Sequence, residues 1–253
     1  MRLWPYKRKS KNYYQLLKRL HALLKPRSYV EIGVRHGKSF ALATTATHAI
    51  GIDPKPQLRY SLWPGAKVFP MTSDAFFAKY DLRKELGGNP VDLAFVDGMH
   101  LFEFALRDFI QLEKNARRSS TVLVHDCYPI DAVTSCRDRT TQRWSGDVWK
   151  LIVCLKKYRP DLELATVDIR PTGLGILRNL DPDSRVLESS FEKICGEFIP
   201  LGYEWLAEDK TSHLNRIDND WHQIRTFFGL PARTGFVSLF ENAFRTRKAD
   251  VGK

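Results

Sequence analysis

The chain is poor in the features that staple, anchor or repeat a protein. Its four cysteines, Cys127, Cys136, Cys154 and Cys195, lie far apart and form no CxxC pair. That spacing argues against a disulfide frame or a cysteine zinc site. It points to free thiols in a reducing compartment, so a cytoplasmic location is expected. No apolar run approaches the ~18 residues that span a bilayer. No apolar stretch of adequate length follows the basic start, as a secretory signal would require. Internal repeats and low-complexity tracts are absent. Acidic residues are missing from residues 1–30, which carry nine Lys or Arg.

That stretch accounts for most of the net charge of +11, so the remaining chain is close to neutral. Such an arm could grip nucleic acid or an anionic surface, or simply stand solvated while its helix packs on the domain. The remainder does not have the charge of a nucleic-acid binder. With 43% hydrophobic residues in 253, the chain can bury one sizeable core and carry a decorated terminus.

Apolar side chains recur at helical spacing over residues 12–24, and Pro26 ends that helix. "SYVEIG" reads as a strand, "SFALATTA" (39–46) as a helix, "HAIGIDP" and "AKVFP" as strands. Residues 73–86 read as one helix capped by Ser73 or Asp74. "VDLAFVDG" is a strand, 101–117 a helix and "STVLVHDC" a strand. The polar segment 128–147 is long for a connection and reads as a lid or substrate loop. "VWKLIVCLKKYR" is a helix. "LELATVDI" and "LGILRNL" form an antiparallel hairpin. Aromatic residues at 205, 221, 227, 228 and 236 make residues 188–253 a packed appendage.

Strands alternating with helices imply right-handed crossovers and a parallel core. The expected fold is α/β: a Rossmann-like mixed seven-stranded sheet with helices on both faces. Residues 1–27 form a basic arm and helix, residues 28–187 the main domain, and residues 188–253 the appendage.

Acids mark the strand ends. Glu31, Asp53, Asp97 and Asp126 all fall at or near carboxyl ends of strands, where open parallel sheets bind ligands. The loop "EIGVRHGKS" is one residue short of GxxxxGK[ST], because only three residues separate Gly33 from Gly37. It lacks the middle and third glycines of GxGxxG. A carboxylate at Asp53 can accept from a ribose diol. Glu31 would repel a pyrophosphate but tolerate a sulfonium. Two acids flanking a glycine turn thus favour a cationic nucleoside such as S-adenosylmethionine, with Ser73 and Asp74 toward the adenine.

"FVDGMH" and "LVHDC" end two strands that can be neighbours. Asp97, His125 and Asp126 could then hold one divalent ion, magnesium or manganese above all. His100 can reach the same space as a general base. Lys150 could pair with the cluster or face the substrate, or lie on the surface. Trp144 and Trp149 could wall the acceptor or pack the helix, and Arg137, Arg139 and Arg143 could recognise an anionic acceptor.

Together these residues resemble the class I S-adenosylmethionine-dependent methyltransferases, more narrowly the group of macrocin and mycinamicin sugar O-methyltransferases and CmcI-like proteins. The resemblance covers about residues 28–180. It implies Glu31, Gly33 and Gly37 around the methionine part, Asp53 at the ribose, a metal-binding Asp97 and a catalytic His100. Relatives carry an adjacent acidic pair at the metal. Asp126 matches it, while His125 stands where an acid is usual. The expected activity is O-methylation of a small-molecule or glycan acceptor, with homo-oligomerisation open. The alternatives are a nucleic-acid methyltransferase using the basic arm and a non-catalytic cofactor-binding module.

Overall fold

A computed structural model of the chain describes residues 8–43 and 48–231. Helix α1 (Tyr13–Leu24) begins at Asn12, whose side chain accepts from the Gln15 N–H. It ends at Lys25 in a left-handed conformation, just ahead of Pro26. Leu16, Leu17 and Leu20 line its inner stripe and are fully buried. Each stabilises the docked helix by roughly 1.5–3 kcal/mol.

Strands β1 (Ser28–Ile32), β2 (His48–Ile52) and β3 (Ala66–Phe69) follow. The helix expected over 39–46 is, among the described residues, only a 3-10 turn at Phe40–Leu42; Ala43 is already extended. Residues 44–47 lie outside the described residues. The helix expected over 73–86 is two. Thr72, not Ser73 or Asp74, caps α2 (Ser73–Lys79). The chain then extends at Tyr80, and Asp81 caps a new helix, α3 (Leu82–Glu85), by accepting from Lys84. A short acid in mid-pattern competes for backbone N–H groups and restarts the helix.

Strand β4 (Val91–Val96), helix α4 (Phe102–Lys114) and strand β5 (Ala116–His125) complete the parallel half. Helix α5 (Trp149–Tyr158) leads to the antiparallel hairpin β6 (Glu163–Asp168) and β7 (Leu174–Arg178). After β7 come α6 (Val186–Ser189), α7 (Phe191–Phe198), α8 (Tyr203–Glu208), α9 (Lys210–His213), strand β8 (Arg216–Asp218) and α10 (Trp221–Phe227), while residues 232–253, with Phe236, lie outside the described residues.

The sheet order is β3-β2-β1-β4-β5-β7-β6-β8. β1 to β5 pair in parallel, β7 runs antiparallel to both neighbours, and β8 joins β6 in parallel. The sheet therefore has the expected Rossmann-like mixed character plus an eighth strand, lent by the appendage. Alternate residues of each strand feed two cores. Val30, Ile32, Val96 and Val124 pack with helices α2 to α5 and α7 on one face. Tyr29, Phe95, Leu123 and Ile176 pack with α1 and α10 on the other.

Residues 8–10 and 219–221 meet on that second face. Trp221 N–H donates to the Arg8 carbonyl at 2.8 Å. Ser10 and Asn219 exchange two hydrogen bonds, at 3.1 and 2.7 Å, and Arg8 pairs with Asp220. Among the described residues, no helix is long and apolar enough to cross a membrane.

Candidate active site

The carboxyl ends of β1, β2, β4 and β5 form one rim. Gly33 N–H donates to Ile52 O and Asp97 N–H to Ile32 O, each at 2.8 Å, which fixes three strand ends together. Gly33 has φ +92°, and a Cβ there would stand 2.0 Å from the Asp97 carbonyl oxygen. No other residue fits where the loops after β1 and β4 touch. Gly37 also turns at positive φ, beneath Leu58.

Asp53 closes the glycine loop. Its two oxygens accept from Arg35 N–H and Lys55 N–H, each at 2.7 Å. Each oxygen keeps a further lone-pair direction for a ligand. Glu31 is placed differently from the expectation. It is fully buried, accepts from the Tyr29 and Ser39 hydroxyls at 2.6 Å each, and faces the interior. Burial pushes its pKa up to about 8. Ser73 hydrogen-bonds Asp108, whose pKa burial pushes up to about 7. Asp74 is taken up by a two-point pair with Arg107, both contacts 3.0 Å.

Asp97, His100, His125 and Asp126 converge at the ends of β4 and β5. His125 Nδ1 lies 3.1 Å from Asp97 Oδ1 and 3.2 Å from Asp126 Oδ2. His100 Nδ1 lies 2.7 Å from Asp126 Oδ2, yet off the axis of a hydrogen bond, and its Nε2 is 3.6 Å from Asp97 Oδ1. Thr172 donates its hydroxyl to the other oxygen of Asp126. Burial would lower the pKa of both imidazoles, but the two carboxylates outweigh it and raise both. Burial would raise Asp126, but His125 and His100 hold it well below the carboxylate range.

Asp97, His100 and Asp126 can each direct one ligand atom at a common ion, all within 4.8 Å of one another. His125 Nδ1 faces the same two carboxylates. Spacings near 3 Å between donors match neighbouring corners of an octahedron with bonds of about 2.1 Å. The buried His100 Nδ1 and His125 Nε2 have no hydrogen-bond partner. Two carboxylates with imidazole nitrogen suit manganese as well as magnesium. The donor set therefore fits a divalent ion.

Two of the six non-glycine residues with positive φ among the described residues fall at the same place. His100 and Asp126 both have positive φ, +60° and +64°. Each such non-glycine residue costs on the order of 1 kcal/mol or more, held by its surroundings. Trp144 lies parallel to His100, at 5.3 Å and 11°. Gly146 backs onto the His100 carbonyl so closely that a Cβ would sit 1.8 Å from it.

Lys150 is not at the cluster. Its Nζ donates to Asp147 Oδ2 at 2.9 Å and to the Ile199 carbonyl at 2.7 Å, and is buried. Asp147 also accepts from Arg137 and from the Phe102 N–H at the start of α4. Arg137 completes the network with a two-point pair to Glu103. Lys150 and Arg137 thus fix the helix that follows His100, and neither is free to meet an acceptor. Trp149 is buried and stacks on Trp205, which packs the helix and leaves no wall to the acceptor. Tyr13, Thr172, Gly146 and Asp108 were not foreseen. Gly146, beside a run of polar residues, was the one with a readable signal.

Residues 30–127 match a family model described as a methyltransferase domain. The fold is similar to the O-methyltransferase TomG from Streptomyces achromogenes, involved in tomaymycin synthesis and solved in complex with SAM. The TM-score is 0.53 at 18% identity, over 67% of this chain and 80% of that one. It is also similar to the SAH-bound methyltransferase PaMTH1 of Podospora anserina, with TM-score 0.52 at 13% identity over 67% and 78% of the two chains. No curated protein matches the chain. None of these similarities singles out the macrocin, mycinamicin or CmcI-like group. Residues 30–127 thus match a methyltransferase domain, within a fold of the class I methyltransferase type.

Proposed function

We propose that the protein is a divalent-metal-assisted O-methyltransferase acting on a hydroxyl of a small molecule or sugar. The observation that carries this reading is the convergence of two carboxylates and two imidazoles at the strand ends beside the glycine loop. Gly33, Gly37 and Asp53 border the cofactor, with Ser73 toward its adenine end. Glu31 supports the loop from within through Ser39. S-adenosylmethionine, when bound, supplies an electrophilic methyl on a sulfonium. Asp97, Asp126 and His125 would hold a divalent ion, which when bound would lower the pKa of an acceptor hydroxyl.

His100 can be an ion ligand or a proton acceptor. His125 Nδ1 already faces both carboxylates, so the proposal gives His100 the second task. Its Nδ1 proton would stay beside Asp126, and Nε2 would take the acceptor proton as the oxygen–carbon bond forms and the methyl–sulfur bond breaks, releasing S-adenosylhomocysteine. Trp144 and Gly146 hold the imidazole in place. Positioning at about 3 Å supplies much of the rest.

Titrating the protein with S-adenosylhomocysteine and with Mn2+, then following labelled methyl transfer to a panel of sugars and hydroxylated small molecules, tests the reading. Asp53→Ala should weaken S-adenosylhomocysteine by about tenfold or more, the weight of a charged hydrogen bond. No cofactor binding would end the proposal. Binding without transfer across the panel would favour a binding module. His100→Ala that loses Mn2+ would make His100 a ligand instead.

A further inference from the structure

We propose that Tyr13, from the N-terminal helix, is a positioning residue of this site: its ring clamps His125 against the Asp97–Asp126 pair, so α1 is one wall of the rim. The inference rests on the reading of His125 as an ion ligand given above.

A histidine that binds a metal through one nitrogen usually donates its other N–H to a carboxylate, a carbonyl or water, which fixes the ring. His125 has no such partner. Its Nε2 is buried and makes no hydrogen bond. Rings take that place. Tyr13 lies across the imidazole with centroids 4.0 Å apart and 35° between planes. Phe95 meets it edge-on at 6.3 Å. A half-turn of the imidazole, which would carry Nδ1 away from both carboxylates, must push past these two rings. Tyr13 is itself nearly buried. Burial raises its phenol, and Asp97 adds to the rise, so it remains a neutral hydroxyl beside the acids.

The clamp is built into the fold. Tyr13 N–H donates to the Arg170 carbonyl at 3.2 Å, in the turn between β6 and β7. The same turn contributes Thr172, whose hydroxyl grips Asp126. One turn therefore sets both the clamp and a carboxylate it serves. Residues 8–10, just ahead of α1, are tied to Asn219, Asp220 and Trp221. The start of α1 is anchored on both sides.

The test uses the full-length protein with Mn2+ alone, followed by the resonance of free Mn2+, and S-adenosylhomocysteine, followed by calorimetry. Tyr13→Ala should weaken Mn2+ by about tenfold or more, as expected for removing the support of a ligand. Tyr13→Phe, which keeps the ring, should stay within about twofold of wild type. Both should bind S-adenosylhomocysteine as wild type does. Nitrogen NMR of the imidazoles in the ion-free protein gives a second readout. His125 should show one ring orientation in wild type and Tyr13→Phe, and exchange between orientations in Tyr13→Ala. Unchanged Mn2+ affinity together with an unchanged His125 signal in Tyr13→Ala would overturn the clamp. So would a Tyr13→Ala variant that loses Mn2+ and S-adenosylhomocysteine alike, since that marks a general packing loss. If wild type binds no Mn2+, the metal reading fails, and the NMR comparison alone decides whether Tyr13 holds the ring.

Discussion

Two ionic clusters lie within a few residues of each other in the fold, and they differ in kind. Arg137, Glu103, Asp147 and Lys150 match two permanent cations to two acids, with backbone groups of Phe102 and Ile199 filling the rest. Each cation is paired with an acid. Asp97, His100, His125 and Asp126 match two acids to two imidazoles. There, two buried ring nitrogens lack hydrogen bonds and two residues hold positive φ. The first cluster is complete and resists change. The second leaves ring nitrogens without hydrogen-bond partners and holds strained backbone around them. Residue types alone do not separate the two, since acids and bases lie at short spacing in both.

The comparison can be broken at its most reactive member. His100→Ala should cut methyl transfer by about 10²–10⁴-fold, the usual weight of a positioned base, with S-adenosylhomocysteine affinity intact. Full turnover would move His100 out of the chemistry. Lys150→Met should do the converse. Removing one partner of a buried pair costs about 3–5 kcal/mol, and Arg137 still facing Asp147 puts the loss at the low end. Urea unfolding should show that loss, while the folded protein keeps its cofactor affinity. A stable Lys150→Met without activity would return Lys150 to the active site.

Gly146 joins the two clusters, between Asp147 and the His100 carbonyl. Gly146→Ala meets both a positive φ of +55° and that carbonyl. It should cost more than about 1 kcal/mol in thermal unfolding and lower turnover as well. Stability loss with unchanged turnover would show that His100 does not depend on this contact.

The smallest effect comes from His21, a buried histidine with no acid beside it. Burial lowers its pKa from 6.5 to about 4. The unfolded chain takes up the proton first as pH falls, so stability is full above pH 6.5 and is lost progressively toward pH 4. Between pH 7 and pH 6 the loss is about 0.7 kcal/mol. His21→Leu should flatten that slope in urea titrations at the two pH values. An equally steep slope in the variant would place the titrating group elsewhere.

Much of this was legible in the sequence. The apolar runs ending in Glu31, Asp53, Asp97 and Asp126 could be read as parallel strands sharing a rim, because strand direction alone puts those ends together. Partner choice was not legible. Lys150 follows the polar loop like a substrate residue, and only the fold brings Asp147 and the Ile199 carbonyl to it. Asp74 reads in sequence as an adenine contact, but Arg107 of helix α4 claims it. Glu31 points inward because β1 is buried on both faces. Tyr13 sits in an apolar helical stripe, where a tyrosine reads as packing. The strand at Arg216–Asp218 is too short to carry a period of its own.

The exchange between Ser10 and Asn219 spans 209 residues. During synthesis the segment carrying Tyr13 leaves the ribosome well before the residues that tie it down. Contacts so distant along a chain form late. The anchoring of α1 is thus finished only after Asn219 has emerged. Ribosome-bound chains stopped before Asn219 should be cut by protease within residues 8–24, where the released protein resists.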